Sequence, residues 1–337
     1  MRIAWIDIAK GIGIILVVVG HSGNQFAYHY FFWFHMPLFF ILSGMTLKKI
    51  NTFGEYCAFV YKKLYRLVIP YISFTLLILL VSNYFDIINY RFQLSNFINS
   101  LSDIWYGGQR MKGYYAVFWF ITCLLFTELI FALIQIVLKK RSSQITLTLF
   151  LFFIAHIEKF IIHTDLLWDI DVALFAIAYF SFGFHFKKYI EYVIHNIKFM
   201  LPIVAISLTM FLVDHYGVYK FTLDMKYRVY SNILLDLIIP ISCSIVIFYI
   251  SYLISKTPLS DFLKKLGTMS MVIMFLHFPI NLIFQIYYHY GWKKFSLIGI
   301  VVPMFFYLLF SKIHASFFLG TFLPKKKTKW ISRNVVH

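Results

Sequence analysis

The feature that most constrains this chain is a succession of apolar stretches, each long enough to cross a lipid bilayer as a helix. Such a helix needs about 20 mostly apolar residues, because the hydrocarbon layer is about 30 Å thick. Inside that layer a helix pairs its own backbone polar groups. The pattern predicts an all-α, polytopic transmembrane helix bundle that forms a single domain over residues 1–337. About ten spans are expected, at 3–22, 30–47, 67–83, 114–138, 145–162, 172–186, 199–213, 229–254, 268–287 and 295–318.

The composition agrees with a membrane protein and excludes several other classes. The chain is 61% hydrophobic and only 13% charged, whereas a soluble globular chain carries about 25% charged residues. This excludes a soluble enzyme, a disordered chain and a disulfide-built secreted domain. Only three cysteines occur, and two of them lie in apolar runs. We therefore expect neither a metal site nor a permanently bound cofactor.

The distribution of basic residues predicts the orientation of the chain. Lys and Arg number 31 against 14 Asp and Glu, a net charge of +17. Most of them lie in the loops on the side of the N-terminus, which by the positive-inside rule places both termini in the cytoplasm. Residues 319–337 then form a basic cytoplasmic tail, whose PKKKTK run suits contact with anionic lipid. We expect the lipid bilayer as a partner and no nucleic acid.

The first span carries three ionisable residues on one helical stripe. An ionisable residue inside a membrane is costly and is a functional candidate by default. Asp7 and Lys10 are three residues apart and can pair on one face. His21 falls on the same stripe, about 16 Å along the helix axis from Lys10. The stripe is equally compatible with a path across the membrane and with a structural ion pair plus an interfacial histidine.

Two more histidines lie inside predicted spans. The short turn after the first span should return His35 to a depth similar to that of His21, so that two imidazoles could flank one reacting atom. His277 should lie near the bilayer centre, where Pro279 leaves a backbone carbonyl unpaired. For both His35 and His277, a catalytic role and a structural role remain alternatives. The remaining histidines are expected to be interfacial or solvated: His156, His163, His185, His195, His215, His289, His314 and His337.

A basic pair marks the cytoplasmic entry of the third span. Lys63 and Arg66 are three residues apart on one helix face. Such a pair suits a phosphate or pyrophosphate, with arginine as a planar fork and lysine as a point charge. The alternative, favoured by spacing alone, is an ordinary positive flank. On the opposite side, the loop 84–113 is polar and aromatic, which is typical of either a carbohydrate-facing surface or an interfacial aromatic belt.

These segments together resemble a known family. WIDIAKGIGIILVVVGH followed by FHMPLFFILSG resembles the start of the acyltransferase-3 membrane acyltransferases, and the closest similarity is to the fucose 4-O-acetylase-like branch. Weaker similarities follow in the family's order across nearly the whole chain, in KKLYRLVIPY, VFWFITCLL, YFSFGFHFKK and LGTMSMVIMFLHFPI.

The resemblance implies a function and roles for particular residues. Members transfer an acyl group, usually acetyl, from cytoplasmic acyl-CoA to a hydroxyl of an extracytoplasmic carbohydrate, in the bacterial inner (plasma) membrane. By this resemblance His21 is the catalytic histidine, as base or acyl carrier, and His35 assists it. Asp7, Lys10, Lys63 and Arg66 bind the acyl donor. Lys10 and Lys63 stand where many members have arginine, which keeps the charge but loses bidentate geometry.

Two other functions compete with this one. A transporter or flippase for a lipid-linked saccharide would also need many helices, aromatic outer loops and a few buried charges. The lack of an internal repeat speaks against it, because many transporters are built from repeats. A sensor or scaffold without chemistry would leave the aligned Asp7, Lys10 and His21 unexplained.

Overall fold

A computed structural model describes residues 3–161 and 165–321. Within these ranges the chain is helical, without a β-strand, and one isolated bridge joins Asp224 to Val229. The predicted all-α class is therefore confirmed. The helices are α1 (Ala4–Gly20), α2 (Gln25–Phe31), α3 (His35–Thr46), α4 (Phe53–Lys63), α5 (Ile69–Ile88), α6 (Leu94–Tyr106), α7 (Trp119–Val137), α8 (Arg141–Ile161), α9 (Ile170–Ile194), α10 (Ile197–His215), α11 (Ile233–Ile254), α12 (Ser260–Tyr287), α13 (Trp292–Lys312) and α14 (Ser316–Leu319).

Seven helical segments of the described chain are long and apolar enough to cross a membrane. Each overlaps one predicted span, and together they make the chain a multi-pass membrane protein. They are Phe53–Ile88, Gly113–Val137, Leu167–Ile194, Ile197–His215, Ile233–Ile254, Ser260–Tyr287 and Trp292–Lys312. The other predicted spans correspond to α1, to α2 with α3, and to α8. The ten-span count and the cytoplasmic termini remain predictions.

The expectation of one continuous helix over 30–47 is wrong. The chain turns between α2 and α3, and Phe34 has non-helical dihedral angles. Pro37 lies in the first turn of α3, where a backbone N–H has no intrahelical acceptor, so that proline favours a helix start there. The His35 side chain bridges the break by hydrogen bonding to the Phe31 carbonyl at 2.6 Å.

Helix α1 lies at the centre of the bundle. It is apolar around most of its circumference, as a helix buried on all sides must be. It packs against α12 over its length and also against α2, α3, α11 and α13. At its start Trp5 packs on Phe248 of α11, with ring centroids 5.5 Å apart.

Close helix crossings depend on glycine. On Gly267 an added Cβ would overlap the carbonyl oxygen of Asp7 in the facing helix. Small residues of this kind let the backbones of membrane helices approach closely. In the described part of the chain, Gly11 and Gly267 make such a crossing between α1 and α12, and Gly44 and Gly183 make one between α3 and α9.

The face of the bundle at which α1 ends, called here the distal face, is covered by structured loops. The first predicted outer loop, 84–113, is in part helical, because α5 runs to Ile88 and α6 occupies Leu94–Tyr106. The second outer loop that the sequence predicts, 214–228, corresponds to the segment 216–232 between α10 and α11, whose tip folds inward. The sequence predicts that the distal face is extracytoplasmic. Of the predicted tail 319–337, all but its first three residues lie outside the described residues.

Candidate active site

Three histidines from three helices meet beneath the distal face. His21 caps the end of α1, His35 is the first residue of α3, and His277 lies in the middle of α12. The ring centroid of His21 is 5.3 Å from that of His277 and 6.3 Å from that of His35. His35 and His277 are almost completely buried, whereas His21 is half-buried. The structure thus brings together the three histidines that the sequence singled out separately.

All three imidazoles are held through Nδ1 by a backbone carbonyl four residues earlier, which for His35 belongs to the last residue of α2. Nδ1 of His21 lies 2.8 Å from the Val17 carbonyl oxygen, and the rings of His35 and His277 make equivalent bonds one turn back. A carbonyl oxygen only accepts hydrogen bonds, so each Nδ1 carries a proton, and in the neutral imidazole each Nε2 then keeps a lone pair. In the described chain, Nε2 of His277 is buried without a hydrogen-bond partner. The cluster therefore presents unprotonated nitrogens.

A cavity of about 190 Å³ opens beside His21 and His35. Its floor, toward the middle of the bundle, is apolar and includes Val17, Met36 and Met274. Its roof comes from the segment 216–232 and is polar. A larger and more open cavity of about 350 Å³ adjoins it, and the two share His21, Tyr28, Phe32 and Phe278.

The roof is formed by a tight turn at the tip of the segment 216–232. Backbone hydrogen bonds of 3.0 and 2.9 Å join Asp224 and Val229, and the Asp224 carboxylate accepts from the Tyr227 N–H at 3.2 Å. This turn projects Lys226 downward, where its side chain is buried. Asp224, Lys226 and Tyr227 all line the cavity. Sequence reasoning missed these residues, since a loop residue carries no periodicity that would place it inside.

The predicted donor residues on α1 do not reach the histidines. Lys10 Nζ lies 3.7 Å from the Asp7 carboxylate, as the spacing predicted. The pair remains about 16 Å from His21 along the helix. Ile14 and Val17, both fully buried, lie between the two groups on the same helix. The stripe therefore has a charged end and an imidazole end with packed apolar side chains between them.

Lys63 and Arg66 lie at the other end of the bundle. Lys63 Nζ makes an ion pair of 2.5 Å with the buried carboxylate of Glu128 on α7. Arg66 lies in a π-helical turn, Leu64–Val68, that joins α4 to α5, and its side chain is exposed. Glu128 is nine residues from the cavity residue Trp119, about 14 Å along α7. The charge of Lys63 is thus already shared with a protein carboxylate.

The expectation that His156 is interfacial or solvated is wrong. Its side chain is buried, and Nε2 lies 3.0 Å from the carboxylate of Asp236 on α11. A second pair, which sequence reasoning did not consider, joins His29 to the buried Asp214 at 2.7 Å. Both pairs could have been suspected from the sequence, because Asp236 and Asp214 each lie inside an apolar helix and a buried carboxylate needs a partner. His163 and His337 lie outside the described residues.

Two cations of the predicted outer loops lie largely inside the protein. Arg228, with dihedral angles in the left-handed region, bonds to the carboxylates of Glu158 and Asp171 at 3.1 Å each. Lys226 lies under the same segment. The position of Arg228 follows from ion pairing and that of Lys226 from hydrogen bonds to backbone carbonyls, so these two residues carry no information about membrane orientation.

The described chain offers no obvious metal centre. Within residues 3–161 and 165–321, no group of three or more His, Cys, Asp or Glu side chains is arranged to hold a metal ion. The polar groups that line the cavity are imidazoles, hydroxyls, one carboxylate and one ammonium. This set suits proton transfer and the binding of a hydroxyl-bearing organic substrate.

Comparison with known proteins identifies the class to which this arrangement belongs. Residues 3–313 match the family model Acyl_transf_3, described as an acyltransferase domain. The chain belongs to the acyltransferase-3 family. It is accordingly a membrane acyltransferase, an enzyme that transfers acyl groups. No curated protein and no solved structure was found to match it. The similarity to the fucose 4-O-acetylase-like branch remains a prediction.

Proposed function

We propose that this acyltransferase is an O-acetyltransferase of the bacterial plasma membrane, which moves an acetyl group from cytoplasmic acetyl-CoA to a hydroxyl of an extracytoplasmic carbohydrate. The observation that carries the proposal is the cluster of His21, His35 and His277. It presents unprotonated nitrogens beside a cavity of the distal face. Proton transfer from a hydroxyl needs a positioned base of this kind.

His21 is the reacting member of the cluster. Its Nδ1–H is bound to the Val17 carbonyl, so Nε2 is the nitrogen available for chemistry. As a general base, Nε2 takes the proton of the acceptor hydroxyl while that oxygen attacks the acyl carbon. As a nucleophile, it carries the acyl group as an acyl-imidazole before the hydroxyl attacks. Both roles use the same atom in the same tautomer.

His35 and His277 assist His21 by accepting hydrogen bonds. In either role the His21 ring becomes cationic or acylated for part of the reaction. The Nε2 lone pair of a neighbouring histidine stabilises the cationic His21 ring and can accept its proton. His277 is the nearer neighbour by ring centroid, at 5.3 Å, and its Nε2 has no acceptor or donor among the described residues.

The cavity lining supports a carbohydrate acceptor. Tyr28, Phe32 and Tyr227 offer aromatic surface, and Asp224 offers a carboxylate acceptor for hydroxyl groups. The adjoining larger cavity extends the site toward the open distal face. An aromatic surface combined with a few polar groups is a common basis for orienting a small ligand.

The donor is proposed to bind at the opposite end of the bundle. Arg66 is exposed there and is free to contact a phosphate, while Lys63 adds charge next to Glu128. Lys10 with Asp7 lies on the route between that end and His21. The pantetheine arm of the bound donor then has to carry the acyl group past Lys10 and about 16 Å along α1 to reach the histidine cluster.

The test is acetyl transfer from radiolabelled acetyl-CoA in membranes that contain the wild type or His21→Ala. Surface polysaccharide is extracted afterwards and its label is counted. We expect label in the polysaccharide with the wild type and a loss of about 10²–10⁴-fold with His21→Ala, the usual contribution of a catalytic acid or base. The matched control is His289→Ala, an exposed histidine outside the cluster, which should transfer acetyl normally.

A different result would replace the proposal. If His21→Ala, expressed at the wild-type level, transfers acetyl as well as the wild type, the histidine chemistry is wrong. If neither protein transfers label while export of the polysaccharide depends on the protein, the acetyl donor or the carbohydrate acceptor is wrong.

A further inference from the structure

We propose that Lys226 is a further catalytic residue, whose ammonium group binds the carbonyl oxygen of the acyl group beside His21 and stabilises the oxyanion formed there. The inference rests on the proposed function, because it takes His21 as the site of acyl transfer. It adds an electrostatic group that the sequence does not indicate.

The position of Lys226 is set by the turn at the tip of the segment 216–232. Its Nζ donates to the carbonyl oxygens of Met111 at 2.6 Å and Ala116 at 2.9 Å, in the segment that precedes α7. The side chain lines the same cavity as His21. The ammonium therefore lies in the roof of the cavity where acyl transfer is proposed.

One donor of this ammonium remains available. A lysine ammonium has three N–H groups, and two of them are used by Met111 and Ala116. Among the described residues no further hydrogen-bond acceptor or carboxylate is bound to Nζ, and the Tyr227 ring lies beside it with its centroid 5.2 Å away. Because the side chain lines the cavity, the third N–H is the group that a bound substrate would meet. The two protein bonds hold that donor in place before substrate arrives, as oxyanion stabilisation requires.

The surroundings of Lys226 keep it charged but poorly solvated. Burial lowers the pKa of Lys226 to about 8, and the carboxylates of Asp169 and Asp224 act in the opposite direction. The ammonium is therefore still largely cationic at neutral pH. Burying a cation that has no carboxylate in ion-pair contact costs free energy of folding. This cost marks Lys226 as a functional candidate. The charged or titratable groups around it are Asp169, Asp224, Lys112, Tyr227 and His21.

The reaction creates a negative charge that this ammonium can bind. The acceptor oxygen, or Nε2 of His21, forms a bond to the acyl carbon, and the π-electron pair of the C=O bond moves to its oxygen. When the intermediate collapses, that pair re-forms the C=O bond. On the general-base route the C–S bond then breaks with its electrons on the sulfur of CoA, which takes up the hydroxyl proton through His21. On the acyl-carrier route the same cleavage leaves the CoA thiolate and an acyl-imidazole. The acceptor oxygen next attacks the acyl carbon, the C–N bond breaks with its electrons on Nε2 of His21, and the hydroxyl proton passes to the thiolate. The oxyanion arises in both mechanisms of His21.

The decisive experiment measures acetyl transfer by the wild type, Lys226→Met and Lys226→Arg at saturating acetyl-CoA and increasing amounts of extracted polysaccharide. We expect Lys226→Met to lower kcat by about 10²–10³-fold, as the loss of one oxyanion donor does elsewhere. The defect should persist at saturating acceptor. Lys226→Arg keeps a charged donor and should retain activity within about tenfold.

The pH profile separates an electrostatic role from a structural one. The wild type should lose activity as pH rises through about 8, because the ammonium of Lys226 is then neutralised. Lys226→Arg should not show that loss, because a guanidinium remains charged. The matched control is Ser231→Ala, which removes the bonds of Ser231 to Thr222 in the same segment without touching the cavity. It should behave like the wild type, and thermal unfolding in detergent should show that all variants are folded.

Each contrary result has a distinct meaning. An active wild type with an equally active, folded Lys226→Met overturns this proposal alone. A defect that disappears at high acceptor concentration also overturns it, because Lys226 would then bind an anionic acceptor and not the oxyanion. A wild type that transfers no acetyl group overturns the proposed function and this inference with it.

Discussion

At the scale of single residues, the molecule buries polar side chains in pairs. His156 with Asp236, His29 with Asp214 and Lys63 with Glu128 are the clearest pairs. A carboxylate inside an apolar bundle needs a donor or a cation, since its desolvation is not otherwise offset. The histidines of the candidate site differ, because each Nδ1 is bound to a backbone carbonyl four residues earlier and to no carboxylate.

The ion pair of Lys63 and Glu128 gives the first prediction. Lys63→Met leaves the buried carboxylate of Glu128 without its cation, and we expect a loss of about 3–5 kcal/mol in the free energy of unfolding. Replacing both partners by apolar residues, Lys63→Met with Glu128→Leu, should recover most of that loss. Chemical unfolding in mixed micelles measures both values. Lys62→Met, at the exposed neighbour, should change the stability by no more than about 0.5 kcal/mol.

The same double variant tests the role of Lys63 in donor binding. If the lysine contacts acyl-CoA, the KM for acetyl-CoA stays high even where stability is restored. If the KM returns to the wild-type value together with the stability, Lys63 is a structural partner of Glu128 and nothing more.

At the scale of helices, the site depends on how closely α1 and α12 approach each other. His21 and His277 belong to these two helices, and their rings are 5.3 Å apart. The crossing is made close by Gly11 and Gly267, each of which faces the backbone of the other helix. Glycine at this crossing therefore contributes to the chemistry from a distance, by setting the separation of two imidazoles.

Gly267→Ala should both destabilise the bundle and lower activity. The added Cβ would overlap the carbonyl oxygen of Asp7, and backbone cannot move aside as a flexible side chain can. We expect a cost of about 1–3 kcal/mol, typical of overpacking, seen as a lower unfolding temperature in detergent. Gly54→Ala, where an added Cβ meets nothing within 4 Å, is the matched control and should leave both properties unchanged. A fully stable and active Gly267→Ala would show that the crossing can relax.

At the scale of the whole molecule, the two faces of the bundle differ in chemistry. The distal face carries the histidine cluster, the buried Lys226 and the aromatic cavity. The opposite end carries the exposed Arg66 and the ion pair of Lys63. This asymmetry is what an enzyme would need if its donor and its acceptor come from different sides of a membrane.

The asymmetry predicts that acetyl transfer is vectorial. Acetyl-CoA is highly charged and does not cross a bilayer, so it should serve as donor only from the side of Arg66. Inside-out membrane vesicles should transfer label from external acetyl-CoA, and sealed right-side-out vesicles should not. Permeabilising the right-side-out vesicles should restore transfer. Equal transfer by both sealed preparations would contradict the predicted orientation.

The sequence by itself determined the class of this protein and much of its helical layout. Apolar stretches of the right length are a local property, so the spans at α5, α7 and α9 to α13 could be predicted from hydropathy alone. The family of the chain could also be predicted from its first 50 residues, and it is confirmed over residues 3–313. His21, His35 and His277 stood out because ionisable residues are rare inside membrane helices.

Only the tertiary structure decided which of these residues meet. His21 and His277 are brought together by the packing of α1 on α12, and no spacing along the chain could indicate that contact. The burial of His156 and Lys226 likewise depends on partners far away in sequence, Asp236 and Met111. The periodicity and the hydropathy of a segment indicate only whether its residues prefer water or lipid. The position of a loop residue in a cavity is instead set by hydrogen bonds to distant backbone, which exist only once the bundle has formed.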